Sequence, residues 1–375
     1  MDETVKITQI EPIPINVPLK SGLTTKTAHG EHIDSPYVLL RIHTDTEHIG
    51  LGEATVAPRW SGETSKGCVA VIRELITPVL MNEDPSEINR LMGKVQRVIT
   101  GNPFTTSAVD MALWDLAGKA AGVPVYQLLG GKVRDEIPMK MVVGAFPVDH
   151  AIGLAKRFLD WGVRCLKVKV GLDPDEDLAR VKAIRELVGP DIPIGIDANC
   201  GWSLPVARDM LPKLSDYDIL FAEQPISPEH VEDLATLRTV STIPIMADES
   251  VFTVNDAWQV GAARAADILS VYPGKHGGII PTLEIAHVAK AAGMVCHMGS
   301  NLELGIATAA MLHVSAAVPG IDSEQYPGDL LGPLYHEADM ICEPLNLGPV
   351  VATVPEGPGL GVELDGAQVE KWRER

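Results

Sequence analysis

The chain has 375 residues, 46% of them hydrophobic, and a formal net charge of −19 at pH 7. That much apolar chain supports a large core and exceeds one small domain, so two domains are expected. An acidic surface repels phosphate backbones and anionic lipid, which argues against nucleic-acid and membrane partners, and no run of about 18 apolar residues offers a transmembrane helix.

The opening MDETVKITQIEPIPI starts acidic and reads as a strand rather than a signal peptide. Cys68, Cys165, Cys200, Cys296 and Cys342 are scattered without a C-x-x-C pair. That points to a reduced, cytoplasmic setting and away from a zinc motif. ITQIEPIPINVPL, PYVLLRIHTD and IGLGEA are β-branched strand patterns. Between the first two, SGLTTKTAHGEHIDS reads as a polar loop of about 15 residues, long enough to be a lid, and VAPRWSGET follows the third. GCVAVIRELITPVL and SAVDMALWDLAGKAAG carry apolar residues at helical spacing, the second stopping at Gly122 with Pro124 beyond.

From about residue 138 the rhythm changes. MKMVVGAF, CLKVKVG, IPIGIDAN, ILFAEQP, IPIMADES, ADILSVYP and MVCHMGS alternate with amphipathic helices, about 25 residues apart. Asp173-Pro174 and Ser227-Pro228 mark helix starts. Strands alternating with helices imply a parallel sheet, and seven or eight such units close most naturally into a barrel. No G-x-G-x-x-G follows the first strand, so a dinucleotide site has no support. After about residue 325, proline and glycine interrupt short strands in a segment expected to wrap back over the N-terminal part.

Barrel strands should be apolar, yet several carry charge at their C-terminal ends, where barrel active sites are built. Lys167 and Lys169 lie two apart in the second strand and share a face. The third strand ends in Asp197 and then Asn199, the fourth in Glu223, and the fifth in Asp248 followed by Glu249. Each alone reads as a rim lysine or a helix N-cap. Together they differ, because Asp197, Glu223 and Asp248 recur at intervals of 26 and 25 residues on consecutive strands. Three convergent carboxylates repel and raise one another's pKa, and a hard divalent cation resolves the conflict. An all-oxygen set favours magnesium, or manganese, over zinc. A divalent cation beside a lysine pair suits abstraction of the weakly acidic proton alpha to a carboxylate, since the cation stabilises the enediolate. Lys169 is the candidate base, with Lys167 as the adjacent ammonium that lowers its pKa.

At these motifs the chain resembles the enolase superfamily, on the branch of mandelate racemase and muconate lactonizing enzyme. SAVDMALWDLAGKAAGVPVYQLLGG is similar to that branch's signature helix and turn, KVK at 167–169 to its K-x-K motif, and Asp197, Glu223 and Asp248 to its three metal ligands. An aspartate as third ligand, within ADES, is closer to the muconate lactonizing subgroup. The resemblance implies a (β/α)7β modified TIM barrel (131–325) under an α+β N-terminal capping domain (1–130), with 326–375 returning to the cap. It also implies loops near 20–34 and 56–64 that close over the substrate, and it implies magnesium chemistry. The branch hosts cycloisomerases, dehydratases, epimerases and racemases.

The muconate-type pattern places a second lysine at the end of the sixth strand. Here the strand reads ADILSVY, then PGKHGG. Period two puts Ser270 and Tyr272 on the mouth-facing side, and Pro273-Gly274 breaks the strand before Lys275. Tyr272 therefore takes the lysine's position, with Lys275 as the alternative. On the seventh strand His297 precedes the strand's end and reads as a core residue, while the racemase-type histidine position falls near Asn301. Glu303 caps the next helix or lines the pocket. Asp322 and Glu324 fall where an eighth strand would end and are candidates for binding a substrate ammonium or hydroxyl. Asn199 and Glu249 at the mouth, and Trp60 and His29 in the lid loops beside Arg59 and Lys26, complete the substrate-binding candidates.

With no second strong base opposite Lys169, the expectation is a magnesium-dependent isomerase or lyase acting on a small carboxylic acid. That reading is muconate cycloisomerase-like or a dehydratase, with Tyr272 as proton or hydrogen-bond donor. The alternatives are an epimerase or racemase of an amino-acid derivative or dipeptide and, in another class, a catalytically degraded metal-binding relative. A homo-oligomer is expected.

Overall fold

Alternating apolar and polar residues between positions 7 and 54 produce an antiparallel sheet with one face buried. The computed structural model describes residues 5–374; the acidic start of the opening run and Arg375 lie outside the described residues. Strand β1 (Ile7–Pro18) is followed by β2 (Thr25–Thr27), β3 (Gly30–His32), β4 (Asp34–Thr44) and β5 (Ile49–Ala54). The sheet order is β1-β4-β5. The segment expected as a loop is instead a small hairpin, β2 pairing β3 from Thr25↔His32 to Thr27↔Gly30. Gly30 at φ 121 ends its two-residue turn, and the β-branched Thr24, Thr25 and Thr27 supply strand preference that the segment's polarity hides.

The Pro103–Ala121 helix packs on β5, and the fit explains two glycines. Gly50 and Gly52 share one face of β5, while Ala112 and Ala108 lie one helical turn apart. A Cβ on Gly52 would fall 1.9 Å from Ala108 O, and one on Gly50 2.3 Å from Ala112 O. Gly52→Ala is therefore expected to destabilise the chain by about 1–3 kcal/mol or more, read from the denaturant midpoint.

The barrel strands are Met141–Val143, Leu166–Lys169, Ile194–Asp197, Ile219–Glu223, Ile245–Ala247, Ile268–Val271 and Val295–Met298, numbered one to seven below. All are parallel and each pairs with its neighbour in sequence, as right-handed strand–helix units require. Closure falls to an irregular segment: Ile321 bridges Cys296, Gly328 bridges Met139, and Asp329 N donates to Met298 O. This is the (β/α)7β barrel with an α+β cap. Val351–Thr353 pairs with Glu136–Pro138 just ahead of the first barrel strand, while Leu360 N donates to Asp115 and Glu374 N to Pro14 O, so the final segment reaches the cap. No helix among the described residues is long and apolar enough to cross a membrane.

Two buried carboxylates tie cap to barrel. Glu53 accepts from Leu304 N (2.7 Å) and Ala307 N (3.2 Å), and Asp110 accepts from Ile279 N (2.6 Å). Burial raises Glu53 to about 8 and Asp110 to about 7. Both values exceed those of the unfolded chain, so the folded chain holds more protons between pH about 4 and about 8. Stability is therefore expected to fall as pH rises through that window. Thermal melts from pH 5 to 8 test this, with Asp110→Asn flattening the slope.

Candidate active site

Strand pairing sets the expected ligands at one level, because Lys169 is the Cα partner of Asp197 and Asp197 that of Glu223. Gln224 fixes the next turn: its Oε1 accepts from Asp248 N (2.9 Å) and Ser250 N (3.1 Å). A cavity of about 300 Å³ opens between this mouth, the β2–β3 hairpin and the turn after β5. Lys167, Lys169, Asn199, Asn301, Trp60 and His29 line it.

The three expected ligands are buried, and each meets a lysine. Lys169 donates to Asp197 Oδ2 (2.5 Å) and Asn199 Oδ1 (2.8 Å). Lys167 donates to Glu223 Oε2 (3.0 Å) and Asp329 Oδ2 (2.6 Å), with Asp197 Oδ2 at 3.5 Å. Lys275 donates to Asp248 Oδ1 (2.5 Å), Asp248 O (2.9 Å) and Ser270 O (2.7 Å). Burial pushes Glu223 up to about 8, with Lys167 opposing and Asp197, Asp248 and Asp329 adding to the rise. Burial likewise raises Asp248 to about 6 against the pull of Lys275. Burial also acts upward on Asp197, but Lys169 and Lys167 outweigh it and hold it below the usual carboxylate range. Around Lys167 burial works downward, and Asp329, Glu223 and Asp197 together hold it well above lysine's ordinary value. Lys140, Lys167, Lys169 and Lys275 face Asp197, Glu223, Asp248 and Asp329, with Glu249 and Glu303 as further acids. This acidic excess of oxygen donors fits a hard divalent cation. Asp197, Glu223 and Asp248 are not yet gathered as a cation would gather them: Lys167 stands between Asp197 and Glu223. Among the described residues the one trio of His, Cys, Asp or Glu donors all within 4.8 Å of one another is His29, Cys200 and Glu249.

The sixth strand separates Tyr272 from Lys275. Three bonds use all three donors of the Lys275 ammonium, and the residue is fully buried. Tyr272 is buried with its hydroxyl unpartnered, edge-on to the cavity-lining Trp60 at 6.4 Å between ring centroids. Burial, then Asp248 and Glu303, raise its phenol well above the ordinary value, so it stays protonated.

The remaining candidates divide. Glu249 Oε1 accepts from His29 Nε2 (2.8 Å) and Asn199 Nδ2 (3.0 Å), linking lid to mouth. Trp60 stands edge-on to His29 at 5.7 Å, and Arg59 donates to His29 O. Asn301 donates to Thr55 O (2.9 Å). Glu303 does not cap the Gly305–Ala317 helix; it accepts from Ser300 Oγ (2.5 Å) and Asn301 N (2.9 Å) and shapes the loop from within. Burial brings it to about 7. Asp322 and Glu324 are a correction. They lie with Arg134, Lys290 and Val295 at the opposite end of the barrel, because Ile321 pairs beside the start of strand seven. The closing segment runs on from there, and Asp329 is its residue at the mouth. His297 is a core residue, in contact with Lys140 and 3.8 Å from Asp329. Asp329 and Lys140 were missed: Lys140 is fully buried and pairs with Asp329 Oδ1 at 3.0 Å. No local pattern marks either, since one precedes strand one and the other follows a Pro-Gly break.

The geometry has counterparts among known proteins. Residues 7–130 match the family described as mandelate racemase / muconate lactonizing enzyme, N-terminal domain, and residues 151–369 match enolase C-terminal domain-like. The chain is 35% identical to muconate cycloisomerase 1 of Rhodococcus opacus, over 97% of this chain and 96% of that one. Muconate lactonizing enzyme from Pseudomonas fluorescens, solved with muconolactone, superimposes with a TM-score of 0.95 at 32% identity, covering 99% of this chain and 100% of that one. N-succinyl Arg/Lys racemase from Bacillus cereus gives 0.94 at 30% identity, covering 99% and 98%.

Proposed function

The chain belongs to the mandelate racemase / muconate lactonizing enzyme family of the enolase superfamily, whose members are metal-dependent isomerases and lyases, and from that membership we propose that it abstracts the proton alpha to the carboxylate of a small acid. The reaction is a cycloisomerisation of the muconate type or a β-elimination, and passes through an enediolate. The observation that carries this is the contrast between the lysines. Lys169 lines the cavity with two of its three donor positions used, whereas Lys275 is buried and fully engaged. Lys169 exchanges the proton, with Asn199 and Asp197 aiming its ammonium. Lys167, held cationic by Asp329 and Glu223, faces the substrate carboxylate. Asp197, Glu223 and Asp248 hold Mg2+, with Mn2+ as substitute. The bound ion supplies Lewis-acid charge for the developing enediolate oxygens. Trp60 and His29 exclude water from above.

A second reading is the epimerase or racemase, favoured by the B. cereus racemase likeness and by the unpartnered hydroxyl of Tyr272 at the end of the sixth strand. All five cysteines are free, which suits the reduced cytoplasm proposed. Trp258 (62% exposed) and Val240 (59%) offer apolar surface for the homo-oligomer.

The test is a carboxylate library in D2O with Mg2+, read by NMR. Deuterium is expected at the α carbon of the substrate, lost with chelator and restored by Mg2+ or Mn2+. No exchange in any carboxylate would leave the degraded relative as the correct reading, and inversion as the main outcome would select the racemase.

A further inference from the structure

The absence of a C-x-x-C pair made a zinc motif unexpected, but folding can gather donors that spacing never shows. His29 lies at the tip of the β2–β3 hairpin, Cys200 in the turn after strand three, and Glu249 in the turn after strand five. One donor atom from each lies within 4.8 Å of the others. Glu249 provides the second observation. Its side chain is 8% exposed, Oε1 takes both available hydrogen bonds, and Oε2 is buried with no partner. An unpartnered buried carboxylate oxygen is costly unless a ligand meets it.

We propose that His29 Nε2, Cys200 Sγ and the Glu249 carboxylate form a second divalent-metal site, one for a zinc-class ion, which pins the lid hairpin to the barrel mouth. The donor chemistry separates it from the all-oxygen strand-end set. Imidazole and thiolate select zinc or cobalt and are poor ligands for magnesium. Three protein ligands leave a fourth tetrahedral position for water, as in open zinc sites. Binding requires the Cys200 thiol to release its proton to solvent. Burial first, then Glu249, Asp248 and Asp197, hold that proton on, so the ion must supply the compensating charge. Asn199 (φ 42) and Cys200 (φ 64) both adopt left-handed backbone, and the turn that brings the thiol near Glu249 also holds Asn199 between Glu249 and Lys169. A zinc-class ion would thus tie His29 to the turn that orients the proposed base.

The 375-residue chain saturated with Mg2+ is titrated with Co2+. One equivalent should give a thiolate-to-cobalt charge-transfer band in the near ultraviolet. The band should vanish in Cys200→Ser and persist in Cys342→Ser, which removes the exposed thiol. His29→Asn should weaken binding at least roughly tenfold. Zinc-edge X-ray absorption on the unsubstituted protein, which needs no variant to fold, should show one sulfur at about 2.3 Å. An all-oxygen shell, absence of the band, or a band that survives Cys200→Ser overturns the site. These readouts do not involve turnover, so they stand or fall apart from the proposed reaction.

Discussion

Lys169→Met is expected to lower turnover on the order of 10³-fold, the range in which removal of a positioned general base falls. The α-proton exchange in D2O should be lost with it. Lys169 lines the cavity with two hydrogen bonds on its ammonium, one of them to Asn199 at 2.8 Å, whereas Lys167 is held among three carboxylates. Methionine keeps the length and apolar stem of the side chain, so the mouth keeps its shape while losing the proton acceptor. Asp197 retains Lys167 at 3.5 Å and is not stranded without a cation nearby. A thermal melt of the variant close to that of the parent would show that the loss is chemical. Exchange that persists in Lys169→Met would remove Lys169 from the base role.

The strand-end residues were legible because a (β/α) unit repeats locally. Each strand fixes its own register, and the 26- and 25-residue intervals place Asp197, Glu223 and Asp248 without knowledge of any long-range contact. Asp329 and Lys140 were not legible because they meet only when the barrel closes, joining residues 189 positions apart through a segment with no strand periodicity. The misplacement of Asp322 and Glu324 has the same origin. The sequence reads as an eighth strand ending at Asp322 and Glu324, whereas the closing segment begins beside strand seven at Ile321 and continues irregularly to Asp329 before reaching the mouth. In the hairpin, threonines at 24, 25 and 27 were hidden by the polar residues around them, so a two-stranded lid was read as a loop. His29 and Glu249 were each recognisable as candidates. Their 2.8 Å contact, which links lid to base through Asn199, is a property of the folded mouth alone.

Tyr272 and Lys275 should separate cleanly by where their substitutions act. The Tyr272 hydroxyl has no hydrogen-bond partner, so Tyr272→Phe strands nothing, and stability is expected to hold or rise slightly. If the phenol, kept protonated by burial and by Asp248 and Glu303, donates to the reacting substrate, turnover should nevertheless fall by about 10²-fold. Lys275→Met is the converse. Its ammonium makes three bonds, two of them to Asp248, and both partners are buried. Its removal leaves a carboxylate charge without its cation and should cost about 3–5 kcal/mol, with the melting temperature falling accordingly. The loss should be partly recovered by Mg2+, since an ion held by Asp248 replaces the missing charge. Activity per folded molecule at saturating Mg2+ should then exceed that of Tyr272→Phe. The opposite pattern, a stable but inert Lys275→Met beside an active Tyr272→Phe, would move the acid to Lys275 and return the sixth strand to the two-lysine arrangement of the muconate-type pattern.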